Sequence, residues 1–389
     1  MPTKAQRLEN LPPYVFATIS QQVREMQLRG IDIIRMDIGS PDLPPADFVM
    51  DALDESARQS DAHGYSGYRG IPRFREAVAR YYKNRFNVTL NPETQVLPLI
   101  GSKEGIVNLT FAYIDRDDVA LIPAIGYPSY AMGTQLAGGT ICYVPMPAEN
   151  SFLLDVDALT PEQAKKAKLL WCNYPNNPTG AVADLAFYER VVAFCKEHDI
   201  LLASDNPYCD VTYDGYQAPS ALQVEGALDM AIEFMSMSKT FNMAGWRLGA
   251  AVGSAEAIKN LLHMKSNVDS GHFIAAYDAG IVAMDEITDA WLAERNAIYQ
   301  KRRDIVMAGL ADAGLEATTP RASLYIWAKV QGMSAMDYVN GARDEAYVSI
   351  APGAAYGPGG KDYVRISVTN TAERLQEGMQ RLKMWYNKN

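Results

Sequence analysis

Apolar positions along the chain alternate between helical and strand-like spacing. From Tyr14 to Arg29 they recur every three or four residues, which predicts an amphipathic helix that ends at Gly30. Short apolar runs, such as ILLAS before Asp205 and AIEFM before Ser236, are typical of buried strands. Because the two kinds of segment alternate through the middle of the chain, the pattern predicts an α/β fold with a mostly parallel central sheet flanked by helices.

The last hundred residues follow a different pattern. The strand-like runs SLYIWAKV, YVSIA and YVRISV surround a glycine-rich loop, PGAAYGPGG, which indicates a smaller α+β domain. We expect this small domain to combine both chain ends, residues 1–45 and 285–389. The large domain is then predicted to span residues 46–284.

Composition and charge exclude several classes of function. The chain has 389 residues, of which 48% are hydrophobic, enough for a large core or for two domains. The net charge of −10 argues against a nucleic-acid partner, because no basic surface is available to neutralise phosphates. The cysteines and histidines lack the spacing of metal ligands, so no metal is predicted. Without a long apolar run or a signal peptide, the sequence predicts a cytoplasmic protein with no membrane partner.

The stretch SMSKTFNMAGWRLG around Lys239 carries the most specific chemistry. Ser236 and Ser238 place hydroxyls beside the lysine, and Arg247 follows eight residues later. A phosphate dianion needs several donors and a permanently charged fork. A lysine reacts with carbonyls only when its amine is neutral, so burial or a neighbouring cation must lower its pKa. The stretch therefore predicts a Schiff-base lysine beside a phosphate site; the alternative is an exposed lysine in a serine-rich loop.

Further candidates follow the ends of predicted strands. Gly101, Ser102 and Lys103 lie between the strand QVLPLI and a helix, where backbone N–H groups and the helix dipole bind anions. Gly39 ends the strand IDIIRMDIG and allows a ligand to approach the backbone closely. Asp205 follows ILLAS. On the residues alone, each of these positions is also compatible with an ordinary turn or helix cap.

Two more residues have both a functional and a structural interpretation. Tyr127, in the loop IPAIGYPSY, is placed to stack on a heterocycle or to pack in the core. Arg365 lies between isoleucine and valine in YVRISV, and a buried arginine is costly unless it meets an anion. That anion is either a ligand or a carboxylate of the protein itself.

The segments SMSKTFNMAGWRLG, NYPNNPTG and DNPY resemble those of class I aminotransferases, which are pyridoxal 5′-phosphate (PLP) enzymes of fold type I. The resemblance spans nearly the whole chain. It implies that Lys239 forms the Schiff base with PLP and acts as the general base, while the Asp205 carboxylate keeps the pyridine nitrogen protonated. The implied cofactor contacts are Gly101, Ser102, Lys103, Tyr127, Asn177, Asp205, Tyr208, Ser236, Ser238 and Arg247. The implied substrate contacts are Gly39, Lys103, Tyr127, Asn177 and Arg365.

The resemblance also implies a homodimer with shared active sites. It places Tyr65 at the position of a tyrosine that reaches the cofactor phosphate of the partner subunit. The segments GSKEG and KSNVDSG are similar to those of LL-diaminopimelate, alanine and prokaryotic-type aspartate aminotransferases. In some of these enzymes the lysine at the position of Lys103 contacts a distal carboxylate, so dicarboxylate substrates are a hypothesis.

The function that the resemblance implies is a ping-pong transamination from an amino acid to a 2-oxo acid, with 2-oxoglutarate as the candidate acceptor. Candidate donors are LL-diaminopimelate, aspartate and alanine. A PLP-dependent carbon–sulfur β-lyase is the closer alternative, and a PLP-sensing transcription regulator is a more distant one. A serine acyl-enzyme is a third alternative, because Ser236 begins an S-x-x-K and Ser204-Asp205-Asn206 supplies S-D-N, although their order is reversed and K-T-G is missing.

Overall fold

The computed structural model describes residues 1–9, 11 and 13–388. Its strands are β1 Ile34–Arg35, β2 Val96–Leu99, β3 Val119–Pro123, β4 Thr140–Val144, β5 Ala167–Cys172, β6 Leu201–Asp205, β7 Ala231–Ser236, β8 Gly249–Gly253, β9 Leu315–Glu316, β10 Tyr325–Val330, β11 Val348–Ser349, β12 Ala351–Pro352 and β13 Tyr363–Ser367. Its α-helices are α1 Gln6–Glu9, α2 Val15–Leu28, α3 Asp47–Ala57, α4 Pro72–Phe86, α5 Ser102–Tyr113, α6 Ser129–Ala137, α7 Pro161–Lys166, α8 Leu185–His198, α9 Met237–Thr240, α10 Ala255–Lys265, α11 Ile274–Glu286, α12 Asp289–Gly309, α13 Ala335–Asp344 and α14 Ala372–Tyr386.

The largest sheet of the described chain has seven strands in the order β2-β8-β7-β6-β5-β3-β4. Strand β8 is antiparallel to both of its neighbours, and the other pairings are parallel. The strands β3, β6 and β7 are almost wholly buried, as expected of parallel strands covered on both faces. The predicted α/β fold with a mostly parallel sheet flanked by helices is confirmed.

Two helical layers cover this sheet because successive strand residues point to opposite faces. On one face, Phe234 packs in a core with Ile106 of α5 and Leu261 of α10. On the other face, the neighbouring Met235 belongs to a core that includes Phe74 of α4. Helices α3 and α4 contact α11 on this second side.

A second hydrophobic core is formed mostly by the antiparallel sheet and by helices α12, α13 and α14. The strands β12-β13-β10-β9 form an antiparallel sheet, and β1 pairs in parallel with β11 from the other end of the chain. Helix α12 contacts α14, and Tyr299, Ile326 and Leu382 share one apolar cluster. No helix in residues 1–9, 11 and 13–388 combines the length and hydropathy that a membrane span requires.

The sheet brings distant segments of the chain to one edge. Asp205 and Ser236 end the parallel strands β6 and β7, and Ser236 lies opposite Gly249 at the beginning of β8. Arg247 lies two residues before β8 begins and is therefore placed at the same edge of the sheet. Ligands of open α/β sheets bind outside the carboxyl ends of the strands, so this edge is where a site is expected.

Candidate active site

A cavity of about 500 Å³ lies at this edge of the central sheet, where residues of the antiparallel sheet also line it. It is lined by twelve of the predicted site residues, namely Gly39, Ser102, Lys103, Tyr127, Asn177, Asp205, Tyr208, Ser236, Ser238, Lys239, Arg247 and Arg365. The predicted residue Gly101 adjoins the Arg247 guanidinium. Tyr65 is 91% exposed and does not line this cavity within the described chain.

Lys239 projects from the short helix α9, which continues directly from strand β7. Its Nζ donates a hydrogen bond of 2.5 Å to the carbonyl oxygen of Gly39. Burial lowers the pKa of the Lys239 amine to about 7, and the positive charges of Arg365 and Arg247 act in the same direction. A large fraction of the amine is therefore neutral at physiological pH, which is the state that can act as a nucleophile or base.

Arg295 supports the backbone of Lys239 and was missed by the sequence analysis. Its Nη1 donates to the carbonyl oxygens of Lys239 and Thr240 at 2.7 and 2.6 Å, and its Nη2 donates to Asp210 O at 2.6 Å. The residue is buried on α12, one helical turn before the buried Tyr299. The sequence did contain one indication of this role, because a charged residue at a position on the buried face of a predicted helix usually has a polar partner inside the protein.

Asp205 presents an unused acceptor to the cavity. Its Oδ2 accepts a 2.6 Å hydrogen bond from the Tyr130 hydroxyl, while its buried Oδ1 has no partner within the described residues. Burial raises the pKa of Asp205 to about 7; the Tyr130 hydrogen bond opposes this change, and the charge of Glu233 adds to it. A cationic donor such as a protonated pyridine nitrogen would satisfy Oδ1 and return the carboxyl to its ionised form.

Another part of the cavity has the donors of an anion-binding site, which we call the phosphate cradle: Gly101, Ser102, Ser236, Ser238 and Arg247. Gly101 has a φ of 75°, and a side chain there would overlap the Arg247 guanidinium, so only glycine fits. Ser102 begins the twelve-residue helix α5, whose first N–H groups have no intrahelical partners. Ser236 and Ser238 line the same cavity. Hydroxyls, free N–H groups and a guanidinium are together the donor set that binds a phosphate.

Arg365 is buried and has no salt bridge with a carboxylate anywhere in the described chain. Its Nη1 donates to Asn177 Oδ1 at 2.9 Å and its Nη2 donates to the carbonyl oxygen of Asp37 at 2.7 Å. Its Nε is buried without a partner in the described residues. A buried guanidinium that meets only neutral acceptors is suited to receive an anionic ligand.

Three tyrosines surround these groups, and only Tyr208 was predicted from the sequence to have a role in the site. The Tyr208 and Tyr325 hydroxyls are 2.9 Å apart, and the Tyr325 hydroxyl also donates to Gly39 O at 3.2 Å. Tyr356 lines the cavity beside them. These contacts join positions more than 100 residues apart, so no local pattern could have identified them.

The remaining wall carries further charged groups. Lys103 Nζ lies 4.4 Å from the centre of the Tyr14 ring, just before α2. Arg35 and Asp37 also line the cavity but form an ion pair of 2.6 Å with each other. This pair was not predicted from the sequence, although IDIIRMDIG contains two opposite charges at alternate positions of a predicted strand.

Comparisons with known proteins agree with this arrangement. The family model described as "Aminotransferase class I and II" matches residues 31–382. The chain belongs to this family. It is 44% identical over 381 residues to the LL-diaminopimelate aminotransferase of Moorella thermoacetica, with 98% of this chain and 97% of the relative covered.

Solved structures agree with the assignment of this aminotransferase. BacF of Bacillus subtilis superposes with a TM-score of 0.95 at 35% identity, covering 99% of this chain and 98% of BacF. A probable N-succinyldiaminopimelate aminotransferase of Thermus thermophilus superposes with a TM-score of 0.89 at 34% identity, covering 95% of this chain and 100% of that one. The predicted aminotransferase activity and fold type are confirmed, and the serine acyl-enzyme alternative is wrong. Members of the family depend on PLP.

Proposed function

We propose that this aminotransferase binds PLP in the cavity described above and moves the α-amino group of LL-diaminopimelate to a 2-oxo acid, with 2-oxoglutarate as the acceptor. The donor is suggested by the name of the Moorella thermoacetica relative. The single observation that carries the proposal is that one cavity is lined both by the Lys239 amine, whose pKa is lowered to about 7, and by Asp205, whose buried Oδ1 has no partner within the described residues.

The chain offers a matching group for each part of PLP. Gly101, Ser102, Ser236, Ser238 and Arg247 would hold the phosphate. Asp205 would pair with the pyridine nitrogen, Tyr127 would face the ring, and Asn177 and Tyr208 would contact the ring oxygen. When bound, PLP supplies an electron sink for the charge that develops at the substrate Cα.

The protein's own contribution to the reaction is proton transfer and orientation. The Lys239 amine, with its pKa lowered to about 7, would take the proton from the substrate Cα and deliver it to the carbon that carries the cofactor's aldehyde. In the second half-reaction it would move a proton the opposite way, from that carbon to the Cα of the new amino acid. Arg365 would form a bidentate pair with the α-carboxylate, for which its Nε has no competing acceptor within the described residues, and Asn177 and Gly39 line the same cavity. Fixing the carboxylate orients the Cα–H bond toward Lys239 and reduces the entropy lost in the reacting complex.

Lys103 is the cation that remains for a second carboxylate. Among the cavity cations, Arg35 is neutralised by Asp37, Arg247 belongs to the phosphate cradle and Arg365 is assigned to the α-carboxylate. Lys103 forms no salt bridge with any described residue, and its Nζ lies over the Tyr14 ring. A distal carboxylate, as in diaminopimelate, glutamate or 2-oxoglutarate, would complement it.

A homodimer with shared sites is part of the proposal. Tyr65, Tyr68 and Phe273 are exposed apolar residues, and the loops that carry them touch, because Ser66 Oγ donates to His272 O at 2.8 Å. Burial of this patch against a second copy would bring Tyr65 to the partner's phosphate cradle.

The division into a large domain of residues 46–284 and a small domain from both chain ends also belongs to the proposal. It is supported by the different packing partners of α11 and α12. A cytoplasmic location is proposed as well, since the four cysteines are free thiols.

A half-reaction screen tests the donor. Protein loaded with PLP is mixed with one amino acid at a time, and the cofactor spectrum reports conversion to its amine form. LL-diaminopimelate and glutamate are expected to convert it, and 2-oxoglutarate is expected to reverse the change. Turnover that needs no 2-oxo acid and releases a sulfur leaving group would instead favour the β-lyase. Conversion by other amino acids but not by LL-diaminopimelate would refute the proposed donor.

A lysine substitution tests the distal subsite. Lys103→Met should raise the KM for glutamate and 2-oxoglutarate about three- to five-fold while that for alanine changes little, because an ion pair with an exposed lysine contributes up to about 1 kcal/mol. Lys166→Met, on the exposed surface of α7, is the control. Equal KM values for the dicarboxylates in wild type and Lys103→Met would remove Lys103 from the proposal.

Subunit complementation tests the shared site. Lys239→Ala and Tyr65→Ala proteins are each expected to be nearly inactive. Mixing them under conditions that exchange subunits should restore activity, because one site of the hybrid dimer has both residues intact. If the mixture stays inactive although subunits exchange, Tyr65 does not act across the interface.

A further inference from the structure

Tyr325 touches three of the groups on which the proposed reaction depends, yet neither the resemblance nor the comparisons assign it a role. It begins strand β10 and is 2% exposed, and it lines the cavity. Its ring faces Arg365, and its hydroxyl lies between Tyr208 and the carbonyl of Gly39, which also accepts from the Lys239 amine. The ring and the hydroxyl thus have different partners.

The ring lies against the Arg365 guanidinium. The carbon at the centre of the guanidinium is 4.0 Å from the ring centre of Tyr325, closer than to the rings of Tyr356 and Phe16, at 5.0 and 5.6 Å. Because Arg365 has no carboxylate partner within the described residues, the negative ring face is its nearest electrostatic support. It holds the flat guanidinium in one plane while leaving Nε without a protein acceptor.

The hydroxyl restrains the Gly39 carbonyl. Since that oxygen can only accept, Tyr325 donates to it and accepts from Tyr208. The fit is close, because a Cβ on Gly39 would overlap the Tyr325 hydroxyl oxygen. The carbonyl therefore has two donors, Lys239 and Tyr325, and keeps one of them when the lysine amine is engaged in the reaction.

We propose that Tyr325 is a positioning residue in which the ring orients Arg365 for the substrate carboxylate and the hydroxyl fixes Gly39 opposite Lys239. This inference rests on the proposed function of Arg365 and Lys239. It predicts that the two parts of the side chain can be separated by substitution: removal of the ring weakens carboxylate binding, whereas removal of the hydroxyl alone leaves it nearly unchanged.

The first experiment measures succinate binding to the PLP-loaded protein by calorimetry. Tyr325→Leu should weaken binding about ten-fold or more, because a desolvated cation–π contact is lost. Tyr325→Phe keeps the ring and should bind within about two-fold of wild type. Tyr338→Phe is the control, since it removes a buried hydroxyl that donates to Ala313 O outside the cavity. Equal affinity in Tyr325→Leu and wild type would overturn the role of the ring.

The second experiment asks whether removal of the Tyr325 hydroxyl relieves the effect of a side chain at position 39. It does not require the Tyr325→Leu variant to fold. Gly39→Ala should weaken succinate binding more than ten-fold in the wild-type background. In the Tyr325→Phe background the nearest ring atom, Cζ, is 3.2 Å from the new Cβ, so the penalty should fall below about three-fold. The same penalty in both backgrounds would overturn the contact.

The proposed function can fail separately from this inference. Borohydride reduction and peptide mapping of the wild-type protein should place PLP on Lys239. Absence of that adduct overturns both the proposed function and the inference. An adduct on Lys239, together with succinate affinity that is insensitive to Tyr325→Leu and to the rescue, overturns the inference alone.

Discussion

Replacing Lys239 by methionine in the PLP-free protein removes an amine whose ionisation the fold opposes. The pKa of Lys239 is lowered from 10.5 to about 7, first by burial and then by the charges of Arg365 and Arg247. Between these two pH values the unfolded chain binds a proton that the folded chain does not. The free energy of unfolding of the wild type must therefore rise with pH across this window. The methionine variant lacks this dependence.

The size of the effect follows from the lowered pKa. A change from 10.5 to about 7 corresponds to a ceiling of about 5 kcal/mol at pH values below 7, where the folded protein must carry the buried charge. Lys239 is only partly buried in a cavity that admits water, so we expect about 2 kcal/mol. The loss of the hydrogen bond to Gly39 adds a cost that does not vary with pH, so only the pH-dependent part is diagnostic.

Urea unfolding of both proteins between pH 6 and 10 measures this part. The stability advantage of Lys239→Met relative to wild type should be greatest below pH 7 and shrink steadily toward pH 10. Val78→Ala is the control, because it truncates a buried apolar side chain and its difference from wild type should stay constant with pH. A Lys239→Met difference that is equally flat would refute a lowered pKa for this amine.

Three further predictions concern the cofactor contacts. Asp205→Asn should stabilise the PLP-free protein above about pH 7, where the raised pKa makes the ionised carboxyl costly, and should weaken PLP binding in a spectral titration. Gly101→Ala should weaken PLP binding at least ten-fold in the same titration, because its Cβ displaces Arg247 from the cradle. Arg295→Met should lower the thermal midpoint and leave Lys239 less reactive toward an amine-labelling reagent, because the carbonyls of Lys239 and Thr240 lose their donors.

Most of the fold was predictable because it is encoded in local patterns. The buried runs before Asp205 and Ser236 became β6 and β7, and the helix expected from Tyr14 to Arg29 became α2. Parallel strands place their carboxyl ends at one edge, so polar residues after such runs were expected to converge there. For the same reason, the sequence predicted that Asp205 and Arg247 would lie at the same edge of the sheet as Lys239.

The residues that support the site were not predictable, since their contacts join distant parts of the chain. Tyr325 meets Gly39 across 286 positions, and Tyr130 meets Asp205 across 75. Arg295 reaches the carbonyl of Lys239 from a helix that begins about fifty positions later. The spacing of apolar and polar residues within one segment cannot predict a contact with a residue in a distant segment.

The sequence by itself determined the fold class, the family and the chemical types at the edge of the sheet, because spacing and strand ends are local properties. The tertiary structure alone decided the protonation of Lys239 and Asp205. Their pKa values depend on how much water and which charges surround them, and that environment exists only when segments far apart in the chain close the cavity.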